Sequence, residues 1–378
     1  MSIRGFFKNI VYRVNVAVAL LLLLTYSAPY INPQFFWLPA LSGLTYNFLL
    51  LVNVGFVAFW LYRRSWYILL SLGVIVLGAP LLQNTFAFRL NSWGNKNAQT
   101  ADSLRTKIMS YNVNNFDLYN WNKNEESRNK MLELIRGENP DIICFQDFYT
   151  QDDSVFNNIS ELQNKLNYPY FHLEKTLTLR EKDHWGLAVF SRYPLYNAHK
   201  IKFNNSKYNG AFQVDVSVHE RPMRLFNVHL QSTHLAPDDL KYVKKIGENI
   251  EQKETSEHWR SISSIVEKLR TAYEKRSEQA QIIADSIAHS PYSVVVCGDF
   301  NDTPVSYSYR KISHPLQDGF LSDGIGFGGT YSIGPLPPFR IDYVLVDTSF
   351  VVYNFDIIAS NKNRSDHSPV VCEIGWKD

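Results

Sequence analysis

Several apolar runs in this chain stop on side chains able to bind a cation or move a proton. Val294-Val295-Val296-Cys297-Gly298-Asp299-Phe300-Asn301 carries a buried-strand pattern into a carboxylate and an amide. Arg340-Ile341-Asp342 opens the run Tyr343-Val344-Leu345-Val346, and Ser365-Asp366-His367-Ser368-Pro369 leads into Val370-Val371. Upstream, Lys107–Val113 presents Asn112, Asp141–Asp147 presents Gln146 and Asp147, and Leu225–Ser232 presents His229 and Gln231. Burying such groups costs several kcal/mol unless they are paired or ligate a metal. So many strand ends of this kind point to one convergent site.

The residue types narrow the chemistry. Asp and Asn oxygens with no Cys or His cluster suit Mg²⁺, Mn²⁺ or Ca²⁺ better than zinc. Two histidines, His229 and His367, with carboxylates close by in sequence suit proton transfer. The three cysteines, Cys144, Cys297 and Cys372, each lie in an apolar run and read as small buried hydrophobes.

Taken in order, SYNV (110–113), DIICFQD (141–147), GLAVFSRYPL (186–195), FNVHLQS (226–232), GDFND (298–302), RIDYVLVD (340–347) and SDHSP (365–369) resemble the endonuclease/exonuclease/phosphatase, or DNase I-like, superfamily. Its members include pancreatic DNase-like nucleases, abasic-site endonucleases, sphingomyelinases and inositol polyphosphate phosphatases. The resemblance covers roughly residues 103–378. It implies a two-sheet α/β sandwich and Mg²⁺- or Mn²⁺-dependent hydrolysis of a phosphate ester, either a nucleic acid or a phospholipid or small phosphodiester. By the same resemblance Asn112, Asp147 and Asp366 form the metal set. Asp299 and Asn301 orient the attacking water and the phosphate. His367 pairs with Asp342 as base or charge stabiliser, and His229 bonds the phosphate or protonates the leaving group. Arg340 and Gln231 are the substrate-binding candidates; Arg340 reads equally as a structural partner of Asp342. One position departs from the family pattern: Gln146-Asp147 stands where relatives usually have Gln-Glu. The shorter carboxylate leaves a second class open, a catalytically weak member serving as a binding or scaffold protein.

These strands need a domain of about 275 residues, and the 378-residue chain has room for an appendage. Its charge is uneven. Residues 1–89 hold Arg4, Lys8, Arg13, Arg63, Arg64 and Arg89 and no acid, which is +6 against a total of +2, so residues 90–378 carry −4. A mildly acidic domain disfavours tight binding along an extended duplex, which calls for a basic face. From Val14 to Tyr62 no residue is charged, with Pro29, Pro33 and Pro39 in the middle, and Ser65–Phe88 is uncharged again. About 20 apolar residues cross a bilayer core. Residues 1–90 are therefore expected to be a membrane anchor of about three transmembrane helices, followed by a linker over 91–103 and the catalytic domain over 104–378. Basic residues before the first span and between the second and third place those ends in the cytoplasm, and the catalytic domain outside it. No obligate protein partner is evident.

In the catalytic domain, helices are expected over Glu125–Gly137 and Val155–Leu166, and strands over Gly186–Phe190 and Ala211–Val218. A long, charged, helical segment is expected within Asp238–His289, either a solvated excursion or a substrate or membrane-surface lid beside His229. His234 follows the His229 string as a further substrate-contact candidate.

Overall fold

The structure, a computed structural model, describes residues 3–88, 104–119, 126–152, 154–204, 206, 208–233, 239, 255–332, 338–359 and 364–377. The expected linker, His234 and the first part of the charged excursion lie outside the described residues.

The apolar runs form two six-stranded sheets packed face to face. One has the order β13-β14-β2-β3-β5-β4: Phe350–Ile357, Val370–Trp376, Thr106–Asn112, Ile142–Gln151, Asp183–Ser191 and Tyr170–Leu179. The other runs β10-β12-β9-β8-β7-β6: Gln317–Asp318, Asp342–Val346, Ser293–Asp299, Arg221–His229, Gly210–Val218 and Leu195–Ile201. Each sheet has one parallel pair at its centre, β2–β3 and β8–β9, and is otherwise antiparallel. A parallel pair needs a crossover. Helix α6 (Ser127–Glu138) provides the first, and α7 (Thr255–Ala288) the second.

These central strands are buried on both faces, which explains their continuous apolar sequence. Ile108, Ile142, Cys144, Leu225, Val295, Cys297, Val344 and Cys372 fill the space between the sheets. Met109, Tyr111, Ile143 and Phe145 face outward under Met131, Leu132 and Ile135 of α6. Phe226, Val228, Val294 and Val296 do the same under Ala280, Ile283 and Ile287 of α7. Helix α6 ends at Asn139, whose left-handed backbone (φ 49°) and N–H bond to the Ile135 carbonyl stop the helix just before Pro140. The expected helix over Val155–Leu166 contracts to short helical turns at Asn158–Ser160 and Glu161–Lys165.

The N-terminal third folds as a separate helical bundle of α1 (Ile3–Thr25), α2 (Leu38–Gly43), α3 (Tyr46–Tyr62), α4 (Ile68–Leu77) and α5 (Ala79–Thr85). Among the described residues, α1 alone is long and apolar enough to cross a membrane. Helix α3 has 17 residues, and α4 and α5 form a second span only if counted together across a 64° bend. The expected third continuous span is broken here because Gly78 is followed by Pro80 in the first turn of α5, where a missing N–H is tolerated. The bundle's interior is polar at one level. Trp60 Nε1 donates to Asn15 Oδ1 (2.8 Å), Asn15 Nδ2 to Ser71 Oγ (2.6 Å) and Ser71 Oγ to Asn53 Oδ1 (2.9 Å), all buried. Its outer surface carries Leu20, Leu21, Phe48, Leu51, Val54, Leu69 and Val76.

Arg340 joins the bundle to the sandwich. Its guanidinium pairs with the buried Asp318 through Nη1, donates from Nη2 to the Asn84 carbonyl (2.9 Å), and lies against the rings of Phe320, Tyr343 and Tyr309. Breaking a buried pair by removing one partner costs about 3–5 kcal/mol because the other charge is left uncompensated. Arg340→Met should therefore lower unfolding stability by about that much, and Arg340→Met with Asp318→Asn should restore most of it. A double-mutant cycle by chemical denaturation measures both; equal losses in the single and double variants would contradict the pairing.

Candidate active site

Strand register alone brings three of the chemically competent residues together. Asp342 at the start of β12 lies directly opposite Asp299 at the end of β9, and Asp299 lies directly opposite His229 at the end of β8. Directly opposed residues share a face of the sheet, so the three side chains form one row. The other sheet closes over this row. Asn112, at the end of β2, donates from Nδ2 to Asp299 Oδ2 (3.0 Å). The segment before β14 is tied to the same strand end by Ser365 Oγ, which donates to the Asn112 carbonyl (2.7 Å). This tie delivers His367, whose Nδ1 lies 3.0 Å from Asp342 Oδ2 and whose Nε2 lies 3.8 Å from Asp299 Oδ2. His229 Nε2 lies 3.6 Å from the same oxygen.

Asp299 is thus the hub, only 1% exposed. Its Oδ1 accepts the Asn301 N–H at 2.7 Å, and Asn301 Nδ2 reaches Oδ2 at 3.3 Å. Gly298 precedes it at φ 153°, where a Cβ would stand 1.9 Å from the Val228 carbonyl oxygen, so only glycine lets β9 approach β8 at this point. Burial pushes the Asp299 carboxyl up to about 6, with Asp342 adding to the rise and His367 and His229 opposing it. Burial also disfavours a charged His367, but Asp342 and Asp299 outweigh it and hold the imidazolium up to about 10. Both carboxylates thus favour the charged form of His367.

Asp147 reaches the site through a bulge. Between Phe145 and Phe148, β3 carries an extra residue relative to β5, and Asp147 takes a left-handed backbone (φ 46°). Such bulges re-aim side chains. Asp147 is partly exposed, and its Oδ1 lies 3.4 Å from His229 Nδ1, a buried nitrogen with no hydrogen-bond partner among the described residues. Asn301 (φ 52°) and the run Asn114–Asp117 (φ 44–56°) just after Asn112 are left-handed too. This conformation costs about 1–2 kcal/mol per residue, and its concentration around one cleft fits a functional site.

A compact set of potential ligands is Asp299, Asp342 and His367, whose ligand atoms lie within 4.8 Å of one another. With Nδ1 on Asp342, His367 Nε2 faces Asp299, so this set would offer a cation one imidazole nitrogen beside two carboxylates. Asn112, Asp147 and Asp366 are the oxygen-donor candidates: Asn112 is buried with its Oδ1 accepting the Asn114 N–H (3.0 Å), Asp147 is partly exposed, and Asp366 is exposed with its Oδ1 accepting from Ser365 Oγ (3.3 Å). An all-oxygen set of this kind matches a hard divalent ion.

Two expected substrate contacts lie elsewhere. Arg340 is turned into the core against Asp318, because a guanidinium there satisfies a buried carboxylate, and it pairs with neither substrate space nor Asp342. Gln231 is buried and structural: its N–H donates to Gln279 Oε1 (2.8 Å), its carbonyl accepts from Arg276 (2.9 Å) and its side chain donates to the Ser232 carbonyl. Residues with a positioning role that the strings did not reveal are Thr330, Tyr331, Asn227 and Arg276. Thr330 Oγ1 accepts the Asp342 N–H (3.2 Å), and the Tyr331 ring lies over His367 at 4.7 Å. Asn227 crosses the sandwich, accepting from Gln146 Nε2 (2.7 Å) and donating to the Phe145 and Ala188 carbonyls (3.0 Å each). A lone buried Asn inside an apolar run was the available signal for it.

Comparison with known proteins identifies the family. Residues 109–367 match the endonuclease/exonuclease/phosphatase family, and residues 8–85 match a domain of unknown function. TDP2 from Caenorhabditis elegans superposes with a TM-score of 0.50 at 15% identity, covering 74% of this chain and 78% of its own. An endonuclease/exonuclease/phosphatase from Beutenbergia cavernae gives 0.48 at 18%, covering 72% of each chain. The human nocturnin catalytic domain gives 0.47 at 19%, covering 72% of this chain and 94% of its own. No curated protein sequence matches the chain. The chain belongs to the endonuclease/exonuclease/phosphatase family, divalent-metal-dependent hydrolases of phosphate esters built on the DNase I-like sandwich.

The His367 value lies above the ordinary 6.5 of histidine. Its contribution to stability is therefore present in full below that value and lost as pH rises through about 10. Imidazole ¹⁵N NMR on the metal-free protein should show His367 still protonated at about pH 8, with Asp342→Asn lowering its midpoint. A ring neutral at that pH in the unaltered protein would contradict the dyad.

Proposed function

We propose that this family member is a membrane-anchored phosphodiesterase that works with Mg²⁺ or Mn²⁺. The observation that carries the reading is the row Asp342–Asp299–His229, capped by Asn112 and His367 from the facing sheet. Asn112, Asp147 and Asp366 would hold the cation, which when bound supplies Lewis-acid neutralisation of a phosphoryl oxygen. Asp299, held by Asn112 and Asn301, takes a proton from the attacking water as the new P–O bond forms. A carboxylate poised near neutral pH is suited to that task. His367, oriented by Asp342, presents its N–H to the charge developing on the phosphate. His229 gives a proton to the oxygen leaving as the other P–O bond breaks, and regains one from Asp299 across the 3.6 Å between them. The charge of −4 over residues 90–378 favours a small phosphodiester or lipid headgroup over an extended duplex.

Membrane anchoring is supported by the organisation of the bundle. Polar side chains bond one another inside, as interhelical contacts do in membranes, while the outer surface is apolar. The Lys8 ammonium lies over the Tyr67 ring (5.0 Å), so the basic start of α1 adjoins the start of α4, near Arg63 and Arg64. At the opposite end, the Tyr30–Gly43 segment and the end of α5 touch the sandwich. Such a polarity is what three crossings with cytoplasmic basic ends would require.

Purified full-length protein should hydrolyse bis-p-nitrophenyl phosphate with Mg²⁺ or Mn²⁺, lose this activity in EDTA and regain it on adding metal. Asp147→Glu should keep or raise the rate. Hydrolysis that survives thorough chelation would refute the metal role, and inert protein with both ions would leave a binding function. For topology, a reporter active only outside the cytoplasm should work when fused after residue 100. Activity there of a reporter restricted to the cytoplasm would overturn the orientation.

A further inference from the structure

Three segments that carry or orient active-site residues rest on the N-terminal bundle. The first runs from Asp299 to Ser306. Val305, 2% exposed, is built into the bundle's own apolar core with Ala19, Leu22, Tyr46 and Leu81. Gly43 of α2 faces it so closely that a Cβ there would stand 2.5 Å from the Val305 carbonyl oxygen. The second is the turn that delivers Thr330 and Tyr331. Phe327 packs edge-on against Phe86, just past α5, with ring centroids 5.0 Å apart. The third is the entry to β12, where Arg340 reaches the Asn84 carbonyl two residues before Asp342.

We propose that the helical bundle is part of the active-site framework as well as an anchor, with Val305 and Phe327 as positioning residues that hold Asp299, Asn301 and Asp342 in register. This rests on the phosphodiesterase reading above. The opposite side of the Asp299 loop is already fixed, since Arg276 of α7 sits 3.3 Å from Asp302 and donates to the Gln231 carbonyl. The loop is therefore held at two points, at Asp302 by α7 and at Val305 by the bundle, with Asp299 and Asn301 immediately before them. Positions that carry catalytic groups tolerate little error; a displacement of about 1 Å can cost about 100-fold in rate.

Gly43→Ala is the sharpest probe. It adds one methyl group in a different module, and alanine favours a helix over glycine by about 1 kcal/mol, so helix α2 itself is not weakened. The full-length protein in lipid nanodiscs should show kcat for bis-p-nitrophenyl phosphate reduced by about 10- to 100-fold with KM little changed and thermal stability retained. Val305→Ala should act in the same direction, and the double variant should be little worse than either. Leu51→Ala, on the outer face of α3, should match the unaltered protein. Hydrogen exchange supplies a readout independent of turnover: Gly43→Ala should speed exchange of the amides in 299–306. Normal kcat in Gly43→Ala would overturn the inference while leaving the phosphodiesterase reading intact. If the unaltered protein is inert, that reading fails, and exchange decides this one: unchanged protection over 299–306 refutes it, and faster exchange upholds the grip on the loop.

Discussion

A carboxylate with almost no access to water sits where two β-sheets meet, and most of the architecture around it answers that constraint. Isolated in an apolar core, the Asp299 charge would be prohibitively costly. The sandwich offsets this with donors from both layers. Asn112 comes from the facing sheet, Asn301 from the loop just beyond, and two imidazoles stand on either side. The same groups that make the burial tolerable are those the proposed phosphoester hydrolysis would use. Separating the roles of the two histidines is then a matter of partners. His367 has a carboxylate of its own in Asp342, while among the described residues His229 faces Asp147 and the hub.

Backbone geometry follows from this convergence. Strands that end in the right places do not automatically aim their last side chains inward. The bulge at Gln146-Asp147 turns one carboxylate toward the cleft, and the left-handed residues after Asn112 fold Phe116 under the sheet against Phe145 and Phe148. The strain is balanced by dense packing in the layers behind. Loops under such strain gain from external support, and the α7 clamp at Asp302 and the bundle seat at Val305 give it from opposite sides.

The central strands and the candidate site are legible in the sequence for one reason. Strands buried on both faces read as unbroken apolar runs, and a polar residue at the end of such a run stands out. Asn112, His229, Asp299, Asp342 and His367 were all found that way, and the structure brings them together. The edge strands β4 and β6 carried no such signal, because their residues are mostly half-exposed or exposed. Gln231 and Arg340 looked like substrate contacts because nothing local shows which way a polar side chain turns; Arg340 is claimed by Asp318, 22 residues away, through an interaction without sequence periodicity. Of the three transmembrane helices expected in the N-terminal region, α1 alone among the described residues is long and apolar enough, and Gly78 and Pro80 split the last one. The seat of Val305 in the bundle is a contact between distant segments, invisible to any local pattern.

On the proposed reading one cleft would hold a cation at Asn112, Asp147 and Asp366 and a proton-bearing dyad at Asp342 and His367. Crystals of the full-length protein grown with Mn²⁺, with data collected at the manganese edge, test it most directly. An anomalous peak is expected among the oxygens of Asn112, Asp147 and Asp366, with Asp342 and His367 still bonded to each other. A peak lodged between Asp299, Asp342 and His367, or none in the cleft at all, would contradict it.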